Sequence, residues 1–382
     1  MSLSKKNFIL VPILLLMLFT NNITSLRGIP QDMEITDHSD KITSIAFSSN
    51  GSLLASGSYD THIYIYEVGA GETHLGITMR DILYHSEKGG SAKIETFEFS
   101  QDGELLISGT YEGEVFIWDL TNGSIIKVLN PANSIKELKI SPDGNNLLVV
   151  KEYGLTYITN YTNEPDYYSF LENPTPLQLE TVDFSPDGKL FYTAGKEGKI
   201  CVYDIEADQK VSEWDSEQSW IYSLDVSSDG KEIVTGGTDD VYKLWNASNG
   251  KLLQEVTEID TTTYSVAFSI DDSIIATGGT RDKVFLFNKT TGSLMKKYSG
   301  YSDIVSSVAF SKIENLLATG SYDKILRIHK SYLTPKVDYV SLLLEGKFFS
   351  GMPPIGILVI STSIISGVIV LFIVHQRKKK GE

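Results

Sequence analysis

Phe184-Ser185-Pro186-Asp187-Gly188-Lys189-Leu190-Phe191 is one copy of a phrase, apolar-Ser-x-Asp-Gly-x-x-apolar, that comes round seven times, with substitutions, in this chain of 382 residues. The serines of the copies are Ser48, Ser100, Ser141, Ser185, Ser227, Ser269 and Ser311, so successive gaps are 52, 41, 44, 42, 42 and 42 residues. A period just above forty, with turn residues and β-rich runs in every unit, predicts four-stranded propeller blades rather than helical solenoids.

Each unit has the same internal grammar. In the first, Ile42 to Phe47 alternates as a strand, Ser48 to Gly51 turns, Leu53 to Ser58 forms a second strand, and Tyr59-Asp60 turns into a third, Ile63 to Tyr66. A Gly-bearing turn such as Asp119-Leu-Thr-Asn-Gly123 or Asn246-Ala-Ser-Asn-Gly250 leads to the fourth. These phrases resemble WD repeats, most clearly at Ser108-Gly-Thr-Tyr-Glu-Gly-Glu-Val-Phe-Ile-Trp118-Asp119, with Tyr66, Tyr203, Trp245, Phe287 and His329 in the Trp slot of other copies. The resemblance covers residues 32 to 330 and implies an all-β, seven-bladed β-propeller of WD-repeat type. It also has departures. The Gly-His that opens a family repeat survives as the lone His38, with His85 a second candidate and Tyr301 in that slot of the last copy. The Asp-His-Ser-Trp network of the family is therefore expected to be largely absent, leaving apolar packing to hold the sheets. Ring closure is expected from Asp32 to Asp37, acting as the outer strand of the blade whose other strands run from Val305 to Lys330.

The ends read differently. Lys5-Lys6 before the apolar run Phe8 to Phe19 makes residues 1–27 a signal peptide or an uncleaved signal anchor. Residues 28–330 are the propeller and 331–354 a juxtamembrane stalk. Ile355 to Val374 carries no charge and is long enough for a transmembrane helix, and the basic tail 375–382 follows with Arg377 to Lys380. Both basic clusters lie beyond their apolar runs from the propeller, so the positive-inside rule places the propeller outside the cytoplasm and the tail within it. The long first gap implies an insertion of about ten residues between the first two blades, within 69–92. The net charge is -16, and that surface disfavours nucleic acid. The lone Cys201, in a strand, reads as a small buried apolar residue. Asn-x-Ser/Thr sequons stand at Asn22, Asn50, Asn122, Asn160, Asn246 and Asn288, mostly in turns, a pattern that chance also produces in an Asn-rich chain.

No phosphate-binding loop, zinc-helix, EF-hand or nucleophile-elbow motif occurs, and the six histidines are scattered, so no enzyme, cofactor or metal is expected. What remains is a recognition surface. The residue before the acid of the second turn faces one end of the channel in WD repeats, and that ring reads Tyr59, Tyr111, Tyr153, Lys196, Asp239, Arg281 and Tyr322. Its tyrosines run together across the closure while the other blades present charge. A second lip position, at the start of each inner strand, singles out Trp220. The expectation is a membrane-anchored propeller that binds a protein or short peptide there without catalysis. The alternatives are an enzyme or metal-binding propeller with its site in the channel, and a surface-layer or adhesion component.

Overall fold

The computed structural model describes residues 32–69, 76–84, 92–131, 133–152, 154–162, 167–169, 178–257, 261–280, 282–312, 315–330, 359–365 and 368–374. Seven antiparallel four-stranded sheets form the blades. Their inner strands are Ile42–Phe47, Ile94–Phe99, Ile135–Ile140, Leu179–Phe184, Ile221–Val226, Thr263–Phe268 and Val305–Phe310, numbered here as blades 1 to 7. Each inner strand lies beside the next, and that of blade 7 lies beside that of blade 1, so the ring is closed.

The repeated phrase is turn chemistry. In the fourth copy Ser185 Oγ donates to Asp187 Oδ1 (2.6 Å), the Leu190 N–H donates to Ser185 Oγ (2.9 Å), and Gly188 turns at φ 70°. The same arrangement recurs at Ser100, Ser141, Ser227 and Ser269, and at Ser48 with Asn50 in place of the acid. The glycine before the second turn has a separate cause. A Cβ on Gly57 would sit 2.7 Å from Ile94 Cγ2, and one on Gly320 2.7 Å from Ile42 Cγ2, because the next blade's first inner residue packs on that backbone.

The apolar core lies between sheets. Leu53, Ile63 and Ile65 of blade 1 pack with Ile94, Phe97 and Trp118 of blade 2, and the seam of blades 7 and 1 is built from Ile42, Leu54, Tyr66, Leu316, Leu326 and Ile328. Free N–H groups of six of the seven inner strands are capped by the preceding blade: Glu98 takes Ile140 N–H, Glu137 takes Val182, Asp183 takes Val226, Asp225 takes Phe268, Ser265 takes Val308 and Ser307 takes Ile45. The N-terminal strand Asp32–Ile35 pairs with Leu326–Lys330 as the outer strand of blade 7, as expected for the closure. Part of the insertion after blade 1 lengthens its third and outer strands, His62–Gly69 and Gly76–Tyr84.

One expectation needs correction. The polar network is more extensive than the missing histidines suggested. Blade 5 carries a full relay in which Gln218 stands in for histidine: Gln218 Nε2 donates to Asp239 (2.9 Å), Thr235 Oγ1 to Gln218 Oε1 (2.7 Å), and Trp245 Nε1 to Thr235 (3.0 Å). Blade 1 pairs His38 with Asp60 and Ser56, and in blade 7 Tyr301 Oη reaches Thr319 and His329 (2.9 Å each). An amide or a phenol can bridge the same gap as imidazole, so the relay does not require a Gly-His pair. Residues 355–374 are described differently from the expectation. In that run, as a separate unit, Val359–Ile365 pairs with Val368–Val374 as an antiparallel hairpin, in keeping with its β-branched Val, Ile and Thr, and the expected helix is not shown. Among the described residues no helix is long and apolar enough to cross a membrane. The expected segments 1–27, 331–354 and 375–382 lie outside the described residues.

Candidate functional site: an aromatic and charged channel mouth

One residue per blade donates its backbone N–H to the carbonyl just ahead of the inner strand: Tyr59 to Lys41, Tyr111 to Lys93, Glu152 to Ser134, Lys196 to Gln178, Thr238 to Trp220, Thr280 to Thr262 and Tyr322 to Ile304. Two residues after each comes a left-handed residue, Thr61, Gly113, Gly154, Gly198, Asp240, Asp282 or Lys324, which turns the chain into the third strand. These seven donors are the lip of the channel. Tyr59, Tyr111, Lys196 and Tyr322 stand there as the sequence reading placed them, and all four line the channel cavity of about 380 Å³. In blades 3, 5 and 6 that reading is one residue late. Counting back from an acid misplaces the slot where acids are doubled, as at Asp239-Asp240, because the left-handed residue sets the turn. Asp239 belongs to the blade 5 relay instead, and Tyr153 and Arg281 lie outside the described residues.

A second ring completes the lining. Every inner strand slips register by one residue near its start, between Ile42 and Ser44 in blade 1 and at the equivalent place in the other six. The residues at these bulges, Thr43, Glu95, Lys136, Glu180, Tyr222, Tyr264 and Ser306, all line the cavity. A bulge re-aims one side chain, and the strict alternation used to read strands from sequence cannot reveal it.

The two rings divide the mouth into sectors. Tyr322, Tyr59 and Tyr111 form an arc over blades 7, 1 and 2, with the Lys41 ammonium 3.7 Å from the Tyr59 ring centre and 4.5 Å from that of Tyr322. Lys93 lies over Tyr59 and Tyr111 at 5.2 and 5.7 Å. Blades 5 and 6 add a continuous stack, Trp220 on Tyr222 (4.9 Å) on Tyr264 (4.6 Å), with Lys196 4.4 Å from the Trp220 ring. Trp220 thus lies where it was expected; its stacking partners were not anticipated. Glu95, Lys136, Glu152, Glu180 and Lys196 make the charged sector over blades 2 to 4.

Burial sets the protonation of these groups. It raises Glu95, against the Tyr59 hydroxyl that donates to it and the Lys136 and Lys41 ammoniums. It raises Glu180 likewise, against Lys136 and Lys196. Burial also pushes Tyr322 and Tyr222 up to about 12 and Tyr59 higher still, so the tyrosines are hydrogen-bond donors at neutral pH. Further along the inner strands Lys139 stands among Glu98, Glu137, Asp183 and Asp225, 3.8 Å from the Asp183 carboxylate. Burial lifts Glu98 and Glu137 to about 7. Among the described residues no group of three or more His, Cys, Asp or Glu side chains is placed to hold a metal ion. Cys201 is buried, and burial raises its thiol.

Comparison with known proteins agrees with this architecture. The family model described as WD domain, G-beta repeat matches residues 30–67 and 292–330, the two segments that meet at the closure. The chain folds as a seven-bladed β-propeller whose closing segments match the WD-repeat model. A second family model, described as eukaryotic translation initiation factor eIF2A, matches residues 87–266, from blade 2 to the inner strand of blade 6. The propeller is similar to the protein LST8 homolog of Drosophila melanogaster, 23% identical over 187 residues that cover 47% of this chain and 57% of that protein. It is similar to eukaryotic translation initiation factor 3 subunit I of Aspergillus terreus, 24% over 188 residues, 46% of this chain and 53% of that one. A third relative is cleavage stimulation factor subunit 50 of Arabidopsis thaliana, 22% over 184 residues, 44% of this chain and 41% of that one. The chain spans about half the length of the curated relatives it matches.

Proposed function

We propose that this WD-repeat propeller is a non-catalytic scaffold, held at a membrane with its propeller outside the cytoplasm, that grips a protein loop or short peptide in the channel mouth. The observation that carries the reading is the mouth itself, where six aromatic side chains and a sector of mixed charges converge on one cavity. Tyrosine and tryptophan bring large contact area and little rotamer entropy, and the flanking lysines and carboxylates fix the orientation of what binds. Two of the similar proteins are named as subunits of larger factors, in keeping with a propeller that works by contact.

Membrane attachment rests on the uncharged run 355–374 with its basic flank, and orientation on the charge clusters at both ends. A lone two-stranded hairpin would leave its outer backbone groups unsatisfied in hydrocarbon, so the inserted form of this run is a helix. Protease added to intact cells is expected to release the propeller; protection until lysis would reverse the orientation.

The mouth is tested with the partner captured by residues 28–350. Tyr111→Ala and Trp220→Ala are expected to weaken binding by about 1–3 kcal/mol each while the melting temperature stays within a degree or two. Tyr59→Ala and Tyr322→Ala should lower affinity by a similar amount with some loss of stability, since Tyr59 also holds Glu95. A fall in melting temperature with unchanged affinity per folded molecule would count against the mouth as the binding site.

A further inference from the structure

Asn50, Asn122, Asn160, Asn246 and Asn288 share one end of the propeller, the end opposite the tyrosine lip. Strands within a blade alternate in direction, so the turns after the inner and third strands fall at one end and the turn after the second strand at the other. Asn50 lies in the turn after an inner strand, between Ile42–Phe47 and Leu53–Ser58. Asn122 follows the third strand Val115–Asp119, Asn160 follows Gly154–Thr159, and Asn246 and Asn288 are the last residues of Tyr242–Asn246 and Lys283–Asn288. Each is followed two positions on by an exposed hydroxyl, Ser52, Ser124, Thr162, Ser248 or Thr290. Among the described residues, the lip end holds no such triplet.

Turn chemistry does not account for the amide. Asn50 Oδ1 accepts from the Ser52 N–H where five sister blades use an aspartate, among them Asp102 for Glu104 and Asp187 for Lys189. Asn246 and Asn288 cap their turns through Oδ1 as Asp119 and Asp204 do in blades 2 and 4. A carboxylate therefore serves the fold equally well at three of the five places, and the amide nitrogen is surplus there. The side chains of Asn50, Asn122 and Asn160 are exposed, and those of Asn246 and Asn288 are half-buried.

We propose that this rim is N-glycosylated, with Asn122, Asn160 and Asn50 as the principal acceptors, so that glycans cover one end of the propeller and leave the aromatic mouth bare. The proposal rests on the extracytoplasmic orientation argued above. In the reaction the asparagine Nδ2 attacks C1 of a polyisoprenyl-phosphate-linked oligosaccharide brought by a membrane oligosaccharyltransferase. The N–C1 bond forms, the C1–O bond to phosphate breaks, the lipid phosphate leaves as an anion, and one Nδ2 proton passes to a base of the transferase. Because transfer precedes folding, an acceptor must end where a bulky polar group is tolerated, which surface turns allow and packed strands do not.

The test uses the full chain with Asn22→Gln, expressed in a secretory eukaryotic cell, with protease accessibility of intact cells measured on the same sample. Peptide N-glycosidase is expected to collapse a ladder of bands to one, leaving aspartate at the modified positions in mass spectra. Asn122→Gln and Ser124→Ala should each remove the same step, and Asn160→Gln and Thr162→Ala another, so that a variant which fails to fold is covered by its pair. A chain cleaved from outside the cell but unmodified at all five positions would overturn the proposal alone. A chain protected from external protease would overturn the orientation, and the proposal with it.

Discussion

In blade 7 the outer strand comes from the other end of the chain and is fastened by charge: Asp32 to His329 (2.9 Å), Glu34 to Arg327 (2.8 Å), and Arg327 onward to Asp323 (2.8 Å) and the Gly300 carbonyl. His329 also stacks on Tyr298 at 3.9 Å. In blade 3 the outer strand is the three residues Tyr167–Ser169, and strength lies in the second strand, where Leu147, Leu148, Val149 and Val150 are all fully buried. Among the described residues, its buried Thr156 and Ser134 hydroxyls lack hydrogen-bond partners. A strand joined through its own turn needs only burial to stay in place. A strand recruited across the whole chain has no local tether, and directional polar contacts fix its register.

The largest effect expected from this difference is on closure. Removing residues 28–37 from the propeller strips blade 7 of its outer strand and exposes the edge of Leu326–Lys330. The shortened domain should aggregate or associate on a sizing column. A monomer with an unchanged melting temperature would show that the strand is dispensable.

Next in size is the latch itself. The Arg327 side chain is 6% exposed and that of Asp323 1%, so Arg327→Met leaves a carboxylate buried without its cation. A loss of about 3–5 kcal/mol in unfolding free energy is expected. Chemical denaturation measures it, and a loss below about 1 kcal/mol would mean that packing holds blade 7 as it holds blade 3.

The seven blades and their closure were legible because the turn phrase is local: Ser185, Asp187 and Gly188 meet within one turn, so its chemistry is written in adjacent letters. The channel was legible only in part. Tyr59, Tyr111, Lys196 and Tyr322 could be counted from the same turns, whereas Glu95, Tyr222 and Tyr264 enter it through a bulge that no local pattern announces. The role of Gln218 is not written locally, because it depends on Asp239 and Thr235, partners on other elements. At 355–374 the apolar run fits a membrane helix by length and a hairpin by its β-branched residues, and sequence alone does not arbitrate.

Acid should move the two blades in opposite directions. Burial raises Glu137 in blade 3 from 4.5 to about 7, with Lys139 opposing and Asp183 adding to the effect. Between those values the folded state binds more protons than the unfolded one, so stability there rises as pH falls. Burial lowers His329 in blade 7 from 6.5, although Asp32 pulls the other way. The folded state then binds fewer protons, and acid weakens that blade. Hydrogen exchange at pH 7.5 and 5.5, corrected for intrinsic rates, should show protection gained around Glu137 and lost around His329. Glu137→Gln should reduce the first change, Glu98 on the neighbouring Ile140 N–H still contributing, and leave the second; parallel changes in both blades would contradict the assignment.

The smallest effect makes the contrast from the other side. Thr156 lies in the third strand of blade 3, 1% exposed, with its hydroxyl unpaired. Valine has the same shape and the same β-branched rotamer preference, and it removes a buried oxygen that gains nothing in the fold. Thr156→Val should therefore leave stability unchanged or raise it by up to about 1 kcal/mol. In blade 7 the equivalent subtraction, Thr319→Val, takes a hydroxyl from the Tyr301 and His329 relay and should cost about 1–2 kcal/mol. Melting both variants beside the parent decides the matter. If the two substitutions cost the same, polar contacts matter equally around the ring, and the division between a packed blade and a latched one fails.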